Sequence, residues 1–472
     1  MIVENLDQLN LSNNSVIVVG SGPSAIAVAL ELEHNKISSL IIEAGDEKYN
    51  HTSQKSYKGE IVGDSIGNLT HNRLRQFGGT SGHWGGWCRP LEEYDFKNWD
   101  IKAKDLKDYS DKTCKILEIK NQFKNSKLNK YFNQIQFQYS KVRFADKYKD
   151  HIRKSNKINL ILNTQVSHFI GANNITDHVV CFSKGKEYKI KSKYFILGCG
   201  GVENSRILLW TKEKNNNFIN PNSPIGKYWM THPWIIGGYG VLKKTKIKEI
   251  LKEEFLNYDG PIHIATSERI GLEKNILAGH AYINAIEDTK LHKEIIKDLL
   301  CVAPKFGKKI ARKIFSKDLK CGNIFLNLEE EAKESNQIQL HNKIRDNLNI
   351  PVTKLFYTQS RSTVEKAKII LEEFGNFCRK TNLGRVAMSE DIYKLLPYKS
   401  LGAAHHMGGT RMGNNASNSV VNKDLMLHDN KNLYIAGSSN FVSGGYSNPT
   451  YTIVQLSLRI ANNIVNKIKE SI

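Results

Sequence analysis

The chain has 472 residues, 40% of them hydrophobic and 24% charged, with a formal net charge of +21. That length exceeds what one hydrophobic core usually serves, so two domains are expected, and the even mixing of polar with apolar residues excludes a disordered or low-complexity protein. No apolar run approaches the roughly 20 residues of a membrane span and no basic-then-apolar leader opens the chain, so a cytoplasmic protein is expected.

The positive charge is spread out, from Lys36 through Lys243, Lys244, Lys246 and Lys248 to Lys469. It reads as a solvated basic surface, and no nucleic-acid partner is expected. The seven cysteines, at 88, 114, 181, 199, 301, 321 and 378, form no Cys-x-x-Cys pair. Their spacing suits neither zinc nor a disulfide framework, so a reducing compartment and no metal are expected.

In chain order, residues 15–19 form a β-branched strand, residues 25–32 a helix and residues 37–42 a second strand, with a glycine-rich turn between the first two. This is the opening of a doubly wound nucleotide-binding domain. Residues 105–117 and 126–138 read as polar helices. Residues 157–169, which include Val166, and 179–198 return to strand, the last part apolar enough for a buried parallel strand. Residues 249–254 and 290–317 read as a long basic helical region, and residues 362–380 as an amphipathic helix. A short strand over 432–435 and a helix over 452–467 close the chain. The expected fold class is α/β: a Rossmann-like dinucleotide domain in three stretches (1–100, 151–215, 396–472), a helical insertion or cap (101–150) and an α+β substrate domain with an antiparallel sheet (216–395).

Gly20-Ser21-Gly22-Pro23-Ser24-Ala25 matches G-x-G-x-x-G/A in the setting that motif requires. The first glycine permits the turn, the second admits a pyrophosphate, and the small third residue lets helix and strand pack closely. The helix N-terminus offers free N–H groups to the phosphates. Glu43, at the end of the next strand, is placed to hydrogen-bond a ribose, with Ala44 beside it. A nicotinamide-dependent dehydrogenase or a non-catalytic nucleotide-binding protein would share this motif.

Further segments carry more. Arg75-Gln76-Phe77-Gly78-Gly79-Thr80-Ser81-Gly82-His83-Trp84-Gly85-Gly86 is a loop whose glycines can lie flat against a ring. Gly198-Cys199-Gly200-Gly201, His405-His406-Met407-Gly408-Gly409-Thr410, Ala436-Gly437-Ser438 and Asn448-Pro449-Thr450 follow it. Taken together and in this order, the segments resemble the glucose-methanol-choline (GMC) oxidoreductases. The resemblance implies FAD and oxidation of an alcohol carbon, on a sugar or sugar derivative, with oxygen or another acceptor taking the electrons. His406 is then the general base and Asn448 the group that orients the hydroxyl, with His405 the alternative base. The run ending in His83-Trp84 resembles pyranose 2-oxidases, in which such a histidine is joined to the flavin; His83 either carries that bond or lies beside the ring unbonded. His232, in Tyr228-Trp229-Met230-Thr231-His232-Pro233, is expected to link the domains.

Overall fold

The computed structural model describes residues 1–9, 14–215, 218–252, 255, 261–283, 319–397, 400 and 404–470. The helix expected over residues 290–317 lies outside them. Among the described residues, no helix is long and apolar enough to cross a membrane.

Four consecutive β-branched residues, Val16–Val19, form a fully buried strand at the centre of a six-stranded parallel sheet. The strand order is Ile2–Val3, Ile158–Ile161, Ser39–Ile42, Val16–Val19, Tyr194–Leu197, Leu433–Ile435. Strands buried on both faces need apolar residues at every position, which is why these runs do not alternate. Helix Pro23–His34 begins with proline at its first turn, where the missing N–H costs nothing, and the C-terminal helix Thr450–Glu470 packs against it.

The second sheet has seven antiparallel strands: Gly384–Met388, Trp234–Lys243, Leu319–Leu328, Gly279–Ile283, Ile262–Thr266, Phe132–Ile135 and Asn125–Lys127. Side chains alternate across it. One face presents Ile264, Ala281, Ile324 and Leu326 to helix Arg361–Lys380, which returns Val364, Ala367, Ile370, Leu371 and Phe374. Each of the larger side chains among these contributes about 1.5–3 kcal/mol. The other face carries His263, His280, Tyr282, Phe325 and Trp234 in a run of ring contacts. The doubly wound domain and the antiparallel substrate domain are those of the expected α/β class.

The helix expected over 126–138 is not formed. Asn129 Oδ1 accepts the N–H groups of Tyr131 and Phe132, which closes a turn between two strands, and Phe132 and Gln134 alternate inward. The helix expected over 105–117 is interrupted, with Lys104–Lys107 and Ser110–Leu117 as separate pieces.

Candidate active site

At the carboxyl ends of the parallel strands lies a cavity of about 500 Å³. Its position follows from topology, because strand ends and the helix starts after them leave backbone groups unpaired there. Gly20 sits at φ +95°, and a Cβ there would stand 2.6 Å from the Gly198 carbonyl oxygen. At Gly22 the space a Cβ would fill is open, and no side chain caps the helix that follows. Free amides and vacant space at this turn fit a pyrophosphate.

Glu43 is buried beside the turn. Its Oε2 accepts Ser21 Oγ–H at 2.6 Å and its Oε1 accepts the Gly45 N–H at 2.6 Å. Burial raises its pKa, and those two hydrogen bonds work against the rise. Further lone pairs on the two oxygens remain for ribose hydroxyls. Of the residues expected to contact the cofactor, all line the cavity except Gly78. Gly78 stands behind it at φ +79°, donating its N–H to Ser21 Oγ at 3.2 Å. His83, Trp84 and Gly85 line the same space as Gly437, Ser438, Pro449 and Thr450, and burial and the Arg143 charge lower the His83 pKa. The residues present fit FAD.

Scattered positions add a charged wall that no motif marks. Arg73 Nη1 meets Glu203 Oε1 at 2.9 Å, while Arg206 meets Glu203 at 3.1 Å and Asp346 at 2.7 Å. Burial alone would push the Glu203 carboxyl up, yet Arg206 and Arg73 outweigh it and hold it below its ordinary range. Arg75 donates to Gln165 Oε1 at 2.6 Å.

The two adjacent histidines part company here. Their side chains make different contacts. His405 Nε2 lies 3.2 Å from Asn448 Nδ2, and His405 Nδ1 lies 3.0 Å from His232 Nδ1. His406, which also lines the cavity, lies against Trp229 at a ring distance of 5.6 Å, and neither of its ring nitrogens has a hydrogen-bond partner among the described residues. Asn448 contacts His405 rather than His406, the residue expected as base, and both histidines line the cavity. Burial lowers the His405 pKa to about 4. Burial, with Arg73 and His405, lowers that of His406 to about 3.

The histidine segment is held on two sides. Met230 and Met407 exchange N–H···O bonds of 2.9 Å each, Gly408 N–H reaches the Ser438 carbonyl at 3.1 Å, and Ser438 Oγ–H reaches the His406 carbonyl at 2.6 Å. Gly201 is needed below it, since a Cβ there would lie 2.2 Å from the His406 carbonyl oxygen.

Residues 332–457 match the GMC oxidoreductase family profile, and they include His405 and Asn448. That segment is similar to the C-terminal domain of the GMC oxidoreductases. It is 24% identical over 297 residues to the fructose dehydrogenase large subunit of Gluconobacter japonicus, covering 60% of this chain and 49% of that one. To the pyranose 2-oxidase of Lyophyllum shimeji it is 24% identical over 140 residues, 29% of this chain and 22% of that one. The chain thus spans half or less of the length of these curated relatives. Among solved structures, the pyridoxine 4-oxidase of Mesorbium loti shares the fold with a TM-score of 0.62 at 11% identity, over 96% of this chain and 99% of that one. The GMC match therefore rests on the C-terminal segment, and the shared fold extends over nearly the whole chain.

Proposed function

We propose that this chain is a GMC oxidoreductase that binds FAD in the cavity and oxidises an alcohol carbon of a small molecule, a sugar or sugar derivative, to a carbonyl, with His405 as general base. The observation that carries the reading is the Asn448–His405 contact of 3.2 Å on the wall of the cavity lined by the glycine turn.

The residues that would hold FAD are Gly20, Gly22 and Ser24 at the pyrophosphate, Glu43 at the ribose, and the loop from Gly79 to Gly85 with Pro449 and Thr450 at the ring. When bound, FAD supplies a two-electron acceptor for hydride. The chain's own part concerns the proton. An alcohol's pKa lies far above neutrality, so hydride departs slowly unless the hydroxyl proton leaves with it. His405 is neutral at pH 7, because burial holds its pKa near 4, and its unprotonated Nε2, to which Asn448 Nδ2 donates at 3.2 Å, takes that proton once the substrate hydroxyl displaces the amide from it. Asn448 Nδ2 donates toward the same point and fixes where the hydroxyl oxygen sits. His83, on the loop that lines the cavity, is the candidate covalent tether. Oxygen or another acceptor takes the electrons on from the reduced protein.

The test begins with purified protein. A visible flavin spectrum is expected, as is bleaching under anaerobic conditions by at least one member of a panel of sugars, polyols and simple alcohols. Acid denaturation then asks whether the colour stays with the polypeptide, and a His83→Ala variant whether it is released. A colourless protein that takes up no added FAD would refute the cofactor assignment. Failure of the whole panel to bleach a flavin-loaded protein would refute the alcohol chemistry.

A further inference from the structure

His232 is a buried histidine that the chemistry above does not use. It comes from Met230–Pro233, far in sequence from the His405 segment, yet the reciprocal backbone bonds between Met230 and Met407 bring the two strands of chain side by side. Its ring stands edge-on to that of His405, with centroids 5.1 Å apart.

The hydrogen positions follow from one fixed point. His232 Nε2 lies 3.2 Å from the Gly444 carbonyl oxygen, which can only accept, so Nε2 carries the hydrogen. Burial lowers the His232 pKa to about 3, so the ring is neutral and its Nδ1 is bare. A bare Nδ1 3.0 Å from His405 Nδ1 requires that His405 carry its hydrogen there. His405, also neutral, is then bare at Nε2, where the amide of Asn448 donates. Each link is forced by the one before it, from a backbone carbonyl to the cavity wall.

We propose that His232 is a positioning residue for His405: it holds that ring in the Nδ1–H tautomer and so keeps the Nε2 lone pair turned toward Asn448 and the cavity. This rests on the reading of His405 as the base. The chain of bonds orients and does not conduct, because it ends on a peptide oxygen that cannot take a proton. Once His405 has accepted a proton at Nε2, its Nδ1–H bond to His232 becomes charge-assisted and shorter-ranged in its demands on geometry, which supports the imidazolium without moving either ring.

The experiment reads the tautomer directly. Purified full-length protein labelled with 15N-histidine is examined by long-range nitrogen–proton correlation NMR, with His405 signals assigned by their loss in His405→Asn. The wild type is expected to show His405 hydrogenated at Nδ1 and bare at Nε2, and His232 the reverse. In His232→Asn the side-chain oxygen can stand at the position of Nδ1 and accept, so the His405 pattern is expected to survive. In His232→Leu no acceptor remains, and the Nδ1–H pattern is expected to be lost, with Nε2–H signals in its place. A wild-type His405 hydrogenated at Nε2, or an unchanged pattern in His232→Leu, overturns the proposal. Should the leucine variant fail to fold, the wild-type and His232→Asn spectra still decide. The base assignment fails by a different readout, an undiminished rate of flavin bleaching in His405→Asn, so the two failures are distinguishable.

Discussion

Asn448 Nδ2 and His405 Nε2 approach to 3.2 Å across 43 residues of sequence, and the neighbouring His406 has no part in that contact. Under the proposed reading, His405 is the base and His406 is not. Removing the base should cost about 10²–10⁴ in the rate of flavin reduction, or about 3–5 kcal/mol of barrier. His405→Asn is expected to fall in that range, and His406→Phe to lose less than about tenfold, about 1.4 kcal/mol. Stopped-flow reduction under anaerobic conditions measures both, and the reverse ranking would return the base to His406.

A carboxylate in place of the carboxamide changes the working pH. A base acts deprotonated, and His405, with a pKa near 4, is competent from there upward. In Asn448→Asp the new negative charge favours imidazolium and raises its pKa, by about 1–3 for such a neighbour. The rising limb of the rate against pH is expected to move to higher pH by a similar amount. An unmoved limb would separate Asn448 from the base.

The glycine turn gives a binding prediction. Alanine at position 20 would have to adopt φ +95° with its Cβ 2.6 Å from the Gly198 carbonyl oxygen. Strain of this kind costs about 1–3 kcal/mol. Gly20→Ala is expected to lose flavin on gel filtration while keeping its far-ultraviolet circular dichroism. Full retention of flavin would remove the turn from the binding site.

Three histidines with depressed pKa values predict acid lability. In the fold, burial lowers His232 and His406 to about 3 and His405 to about 4. Their unfolded reference is about 6.5. Because the folded values are depressed, the unfolded chain binds protons first on acidification. The stability is present in full above about 6.5 and falls as pH drops through 4 toward 3. Thermal melts at fixed flavin concentration should show Tm declining over that window. His406→Phe keeps a ring against Trp229 but removes one protonation site, so its decline should be shallower; parallel slopes would argue against the buried-histidine account.

The dinucleotide turn was legible because its chemistry is local: Gly20, Gly22 and Glu43 lie within one strand–turn–helix–strand unit, and each residue type is demanded by backbone shape or by a ribose. Residues 126–138 read as helix in sequence but form strands, since Asn129 sets a turn through its side chain and the partner strand lies over a hundred residues away. The histidine register was ambiguous for a related reason. Resemblance locates a segment, but both adjacent side chains line the cavity, and which of them meets Asn448 is set by the fold around that segment. The wall made by Arg73, Glu203, Arg206 and Asp346 draws on residues 273 positions apart at its extremes and leaves no local pattern.

The paired methionines at 230 and 407 weld two distant stretches into one ribbon. A deletion or insertion of a single residue on either side would swap inward for outward neighbours on that stretch alone, pulling His232 out of step with His405. The spacing from 230 to 232 and from 405 to 407 can therefore change only in concert.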